Sequence, residues 1–302
     1  MKIGFTFSIK YCCDIGLNWQ KTLKSILEVY PWEYIRLPVY WDTIEVKKDN
    51  IDYSCIKEQL EIISNYKIKV IPVIGYRNPR WPERHGPDWL NNISINEFNK
   101  EVLKWSERCI IELKPNQNIS HWQIENEPLE NNWGKAGFNV DKIYYEELKL
   151  VKSLDNRDCL ITYGFKPWNT NTLLGNIRED IVGLDIYSKL GIKKFGKIWY
   201  PDMFYLPDNL ILSRIRKDIK FADKNKSQVW ITELQAEPWD VIDGVLFDKN
   251  KWMKTITPDR FSKLLNLSEK SGISDVLVWG VEWWWTLDPK DRIEFLSKLP
   301  SN

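Results

Sequence analysis

Apolar positions along the chain fall into short runs separated by longer stretches of helical period. Eight runs are rich in β-forming residues: Ile3–Phe7, Tyr34–Pro38, Lys67–Ile74, Ser120–Ile124, Cys159–Tyr163, Ile181–Tyr187, Gln228–Glu233 and Asp275–Gly280. Several are almost continuously apolar, as in KVIPVIG and DVLVWG, the pattern of strands covered on both faces. Helical patterns lie between them. Leu17–Tyr30 is amphipathic, and Tyr53–Tyr66 puts Ile56, Leu60 and Ile63 on one face. Ser94-Ile95-Asn96-Glu97 is a capping box opening a helix that runs to about Leu113. Thr257-Pro258 sets a cap residue before a Pro at the first helical position, Gly272 closes that helix, and Asp288-Pro289 repeats the opening signal. Eight such units in 302 residues predict a (β/α)8 TIM barrel filling 1–302 as a single domain. No linker, low-complexity segment or 20–50-residue repeat divides the chain. The competing doubly wound sheet usually has a Gly-rich phosphate turn after its first strand, and TFSIKYCCDIG is not one.

Charge and composition narrow the partners. There are 43 basic and 42 acidic residues, a net charge of +1, so electrostatics give no reason to expect nucleic acid or an anionic membrane. No apolar run approaches the ~20 residues of a membrane span. The N-terminus, MKIGFTFSIKYCC, reads as a first strand and not as a signal peptide. Five cysteines, odd in number and without a CxxC, suit free thiols in a reducing compartment, so a cytoplasmic location is expected. The two histidines, His85 and His121, are too few for a His-rich zinc site, and no metal or organic cofactor is expected. A Ser-His-Asp triad would have to use one of them without a GxSxG elbow. Oligomeric state leaves no mark on the sequence.

In this architecture the chemistry belongs at the C-terminal ends of the strands. Strand 2 ends in Tyr34-Ile-Arg36-Leu-Pro-Val-Tyr40-Trp41, and strand 4 in Glu125-Asn126-Glu127-Pro128. Strand 6 ends in Leu184-Asp185-Ile-Tyr187, and strand 7 carries Glu233, Gln235 and Glu237. Strand 8 ends in Trp279-Gly280-Val281-Glu282-Trp283-Trp284-Trp285. A Glu after strand 4 and another ending strand 7 would face each other across the barrel mouth. Hydrolysis of a glycosidic bond needs such a pair, one carboxyl to protonate the leaving oxygen and one carboxylate beneath the anomeric carbon. The 17 tryptophans point the same way, since aromatic faces suit the C–H faces of sugar rings. Many fall in loops at that end, among them Trp41, Trp81, Trp89, Trp133, Trp168, Trp199, Trp239 and Trp283–Trp285. The long connections Tyr76–Leu90 and Ser188–Pro207 are candidate subsite walls.

Asn-Glu-Pro after strand 4, with a Glu closing strand 7, resembles the clan A retaining β-glycoside hydrolases, and the resemblance follows the whole chain strand by strand. It implies Glu127 as general acid/base, Glu233 as nucleophile, Asn126 as ligand of the sugar 2-hydroxyl and Arg36 as support for the nucleophile. It further implies Trp279 lining the sugar site, Tyr187 as an aromatic touching the nucleophile, and Glu282 as a ligand of sugar hydroxyls; Trp41, Trp81 and Trp199 join them as candidate substrate contacts. Many members carry a His after strand 3 or in the strand-6 motif, whereas strand 3 here ends Gly75-Tyr76-Arg77 and strand 6 has none, so no family within the clan is named. The implied function is retaining hydrolysis of a β-linked oligo- or polysaccharide. The rivals are a silent carbohydrate-binding barrel and another barrel enzyme, such as a Schiff-base enzyme using Lys166 just beyond strand 5.

Each residue also has a plainer role open to it. Glu237 rivals Glu233 as nucleophile. Glu125 should point away from Glu127 into a structural ion pair, because strand neighbours alternate. Arg36 can bridge strands, Glu282 can form a rim salt bridge, and His121 reads as a core or bottom-face residue. Taken singly, most loop tryptophans are packing residues.

Overall fold

A computed structural model describes residues 1–130, 140–167, 179–189, 201–238 and 255–301, with the backbone alone of 192–194 and 197–199. The eight strands are β1 Lys2–Thr6, β2 Tyr34–Pro38, β3 Lys69–Ile74, β4 His121–Ile124, β5 Asp158–Gly164, β6 Ile181–Ile186, β7 Gln228–Gln235 and β8 Asp275–Trp279. They close into one parallel barrel in which each strand pairs with its sequence neighbours and β8 returns to β1. The eight apolar runs are these eight strands, within a residue or two at each end.

Among the helices are α1 Ile9–Asp14, α2 Trp19–Val29, α3 Trp41–Ile44, α4 Ser54–Ser64, α5 Ile95–Leu113, α6 Tyr144–Leu154, α7 Asp208–Lys224, α8 Pro258–Ser271 and α9 Pro289–Leu296. Four of these, α1, α2, α5 and α8, begin at a side-chain cap. Ser94 and Glu97 exchange both bonds of the capping box, satisfying two amides that a helix start would leave unpaired. Thr257 accepts from the Arg260 amide, and α8 stops at Gly272, whose φ of 87° a side chain would resist. At α9 the Asp-Pro signal marks the start, although the Asp288 side chain makes no capping bond. Short α1, and an antiparallel ribbon of Ile192–Lys194 with Lys197–Trp199 after β6, were not foreseen.

Two apolar layers hold the barrel. Tyr34, Ile71, Leu160, Ile181, Trp230 and Leu277, one from each of six strands, form a separate buried cluster that fills the inside. The larger core lies between strands and helices. His121 packs against the Tyr34 and Trp230 rings at the lower end, as expected of a bottom-face residue. Among the described residues no helix is long and apolar enough to cross a membrane. All five cysteines are free.

Candidate active site

Above the inner apolar layer the barrel turns polar, and Arg36 stands at its centre. It is fully buried, projecting from β2. Its Nη1 donates to Glu233 Oε1 at 2.8 Å, Nη2 to Asn126 Oδ1 at 2.6 Å and Nε to Gln123 Oε1 at 2.7 Å. One guanidinium thus ties β2 to the ends of β4 and β7, so bridging strands and holding Glu233 are the same act.

Glu233 reaches this place through an irregularity in β7. Leu184 pairs with Ile231, but the next residue, Asp185, pairs with Glu233, and β8 shows the same slip between Val276 and Val278. One extra residue is thereby accommodated in β7. Thr232 faces inward, since it would collide with a Cβ on Gly183 and its hydroxyl donates to Asp185 Oδ1 at 2.6 Å. Strict alternation would then send Glu233 outward. The bulge brings it back inside, where Tyr187 Oη also donates to its Oε2 at 2.6 Å. Burial first, and then the Glu233 charge, push the Tyr187 phenol well up, so it remains a donor.

The turn after β4 is bent at two acids. Glu125 and Glu127 have φ of 59° and 43°, left-handed values that non-glycine residues seldom adopt. Glu125 turns away from the mouth, as alternation predicts. It accepts from the backbone N–H groups of Tyr76 and Arg77, capping the end of β3, and meets no cation in an ion pair among the described residues. The expected structural ion pair is therefore an amide cap. Glu127 is anchored by its own N–H, which donates to the Thr162 hydroxyl at 3.0 Å. Its carboxyl lies against Gly164, where an added Cβ would sit 3.2 Å from Oε1. Burial pushes this carboxyl well above the usual range, and the charges of Glu83, Asp185, Glu233 and Glu130 push in the same direction. Burial and the surrounding carboxylates thus favour the neutral form of Glu127, whereas Glu233 is gripped by a cation and a phenol.

Asn126 shares the Arg36 guanidinium with Glu233. Its Oδ1 takes Arg36, Thr162 Oγ1 at 3.2 Å and Gln123 Nε2 at 3.3 Å, which fixes the amide so that Nδ2 faces Glu83. Glu83 is a site carboxylate that the strand-end pattern did not reveal. It comes from the loop after β3 and stands at φ 65°. Its only sequence signal was the length of that loop.

The remaining candidates separate. Glu237 and Glu282 share Arg80: Nη1 meets Glu237 Oε1, and Nη2 reaches Glu282 Oε2 at 3.3 Å. The guanidinium carbon lies 3.6 Å from the Tyr11 ring centroid and 4.1 Å from that of Trp279. Glu282 also accepts the Ser8 amide at 2.7 Å and is fully buried, which places it in a salt-bridge cluster. Trp279 keeps only the face away from Arg80 for any sugar. Trp41 does not come to the mouth. Its ring stacks on Trp105 at 5.2 Å, its edge meets Trp89 and its Nε1–H is spent on Glu45, so packing and a polar bond claim it entirely. Trp81 is about half exposed. Trp283 and Trp284 are buried against Phe295. The side chain of Trp199, and Trp133, Trp168 and Trp239, lie outside the described residues. Lys166 is ion-paired with Glu130 at 2.9 Å. Among the described residues no cluster of three or more His, Cys, Asp or Glu is arranged to hold a metal ion.

No protein-family model matches this chain, and no curated protein sequence matches it. Solved structures do. Xylanase 10B from Thermotoga petrophila, in complex with xylobiose, is similar over 92% of this chain and 81% of its own, with a TM-score of 0.61 at 12% identity. A GH5_18 protein from Bifidobacterium longum, in complex with Manβ1-4GlcNAc, is similar over 92% and 68%, with a TM-score of 0.63 at 10% identity. A psychrophilic family 10 endo-β-1,4-xylanase gives 93% and 86%, with 0.60 at 14%. The chain has the (β/α)8 barrel that these glycoside hydrolases have; at such identities the likeness is one of fold.

Proposed function

We propose that this protein is a retaining glycoside hydrolase acting on a β-linked oligo- or polysaccharide. The observation that carries the reading is the asymmetry of two buried carboxyl groups. Glu233 is held by Arg36 and Tyr187, while Glu127 is pushed toward its neutral form by burial and surrounding carboxylates. A double displacement needs that division of labour. Glu127 gives its proton to the glycosidic oxygen as Glu233 attacks the anomeric carbon and forms a glycosyl ester. Glu127, now a carboxylate, takes a proton from water, and the hydroxide attacks the same carbon and frees Glu233. Arg36 keeps Glu233 ionised for the first step and stabilises it as leaving group in the second. Asn126 lies where the C2 substituent would be, and Trp279 and Trp81 offer aromatic surface around the sugar. In this reading the two carboxyl groups are ~5–5.5 Å apart; ~6.5–9.5 Å would suit an inverting enzyme.

Azide rescue tests the roles. Glu233→Gly leaves a hole beneath the anomeric carbon, so azide should convert an activated aryl β-glycoside to the α-glycosyl azide. Glu127→Ala keeps the nucleophile, and azide should then attack the stalled intermediate to give the β-azide. Reversed anomers, read by proton NMR, would exchange the roles. Absence of turnover by the parent protein across an aryl β-glycoside panel would leave a silent carbohydrate-binding barrel.

A further inference from the structure

The carboxylate contributed by the loop after β3 changes what the site can accept. Glu83 Oε2 receives Asn126 Nδ2 at 3.3 Å and faces Arg77 Nη2 at 3.5 Å. Because Arg36, Thr162 and Gln123 already hold the Asn126 carbonyl, the amide cannot turn over, and its donor stays directed at Glu83. What meets a substituent arriving beside Asn126 is therefore a carboxylate acceptor. A second acceptor lies in the same site. Asp185 is buried, takes Thr232 on Oδ1, and has no partner for Oδ2 among the described residues.

The polar partners are unevenly shared. Glu233 and Glu83 are each met by a guanidinium group, Arg36 and Arg77, whereas burial and then the Glu233 charge push the Asp185 carboxyl well up and no cation is paired with it among the described residues. The nearby ammonium, Lys166, is paired with Glu130. Burial and the Glu233 charge work against ionisation of Glu83 while Arg77 favours it, leaving its carboxyl at about 7. A neutral hydroxyl brings one donor and no charge to this place. An ammonium group brings three donors and a positive charge that favours the ionised forms of Glu83 and Asp185, with no lone pair that would compete for the Asn126 amide.

We propose that the site takes a β-linked 2-amino-2-deoxy sugar, with Glu83 receiving its C2 ammonium group. The proposal rests on the reading of Glu127 and Glu233 as the catalytic pair, because that reading places C2 beside Asn126. It makes Glu83 a specificity-determining residue, and deacetylated amino-sugar polymers the substrate class.

The test compares kcat/KM for 4-nitrophenyl β-glycosides that differ only at C2, in both the gluco and galacto series: amine, hydroxyl and N-acetyl amine. The pH is set where the amine is protonated. The parent protein should favour the amine over the hydroxyl by about tenfold or more, and Glu83→Gln should lower that ratio by about 30-fold, as expected for loss of one partner of a desolvated charge pair. A parent protein that favours the hydroxyl sugars overturns the proposal without any variant being needed. So does a Glu83→Gln variant that lowers both substrates equally, since Glu83 would then only hold Asn126 in place. A 2-deoxy-2-fluoro glycoside carried in parallel separates the two levels. Labelling of Glu233 with refusal of the amino sugars removes this inference alone, whereas no labelling and no turnover of any substrate removes both readings.

Discussion

At Glu127 a hydrogen atom takes the place of a side chain one strand away. Gly164, the last residue of β5, leaves room that a methyl group would fill at 3.2 Å from Oε1. Gly164→Ala should therefore displace the acid by a few tenths of an ångström while leaving the fold intact. A loss in kcat of about 10–100-fold is expected on poor leaving groups, since small misplacements of reacting groups are costly. The loss should be much smaller on leaving groups that need no proton. Equal losses on both would show that the methyl group disturbs something other than proton donation. Glu127→Gln and Glu233→Gln should each cost roughly 10²–10⁴ or more in kcat, and Glu237→Gln far less, because Glu237 is committed to Arg80. Near-parental activity in Glu233→Gln would remove it as nucleophile. The pair Glu127 and Glu233 was legible as residue types at strand ends. The bulge that turns Glu233 inward was not, because nothing in VWITELQ distinguishes an extra residue from regular alternation.

The loop after β3 sends two charged side chains into the mouth. Arg80 sends its guanidinium to the ends of β7 and β8, between the Tyr11 and Trp279 rings, while Glu83 turns toward Asn126. Arg80 and Glu83 have φ of 89° and 65°, so with Glu125 and Glu127 four of the six non-glycine residues at positive φ among those described stand in these two loops. Such strain persists where surrounding bonds over-determine it. The strand order and the caps were readable because each is a local pattern. This cluster was not, because Arg80 lies 157 and 202 positions from its two partners and no periodicity links them. Its energetic role is testable. Arg80→Ala leaves two buried carboxylates unpaired and should lower unfolding stability by about 3–5 kcal/mol in denaturant titrations. Adding Glu237→Gln and Glu282→Gln should return much of that loss. A single variant as stable as its parent would mean that the cluster is hydrated and does not clamp the loop.

For the whole molecule, the buried acids set how stability depends on pH. Burial pushes Glu125 and Glu282 up to about 7, and Glu127, Glu147 and Asp185 well above their usual range. Glu147 receives the Ser106 hydroxyl on Oε1 and has no donor for Oε2 among the described residues; a proton kept on Glu147 and offered to Glu125 satisfies both acids. The native state therefore holds protons that the unfolded chain releases near ~4.3. A carboxyl raised on folding contributes stability fully present below its unfolded value and lost as pH climbs through its folded value. Other acids act in the opposite sense. Despite the upward push of burial, Arg260 and the Phe204 amide hold Asp202 low, and Lys104 and Lys48 do the same for Glu101, so their contribution disappears in stronger acid. Stability should peak close to the unfolded carboxylate value of about 4.3 and fall from there toward 8, with a lower Tm at pH 8 than at 5.5 in the absence of substrate. Glu147→Gln should flatten the fall, because an amide N–H replaces the proton that Glu147 would otherwise have to retain for Glu125. Thermal melts of both proteins across pH 4–9 check this. A parent Tm that rises from 5.5 to 8 would mean that the buried acids are ionised and paired in the folded protein, and would remove the basis for a protonated Glu127 as well.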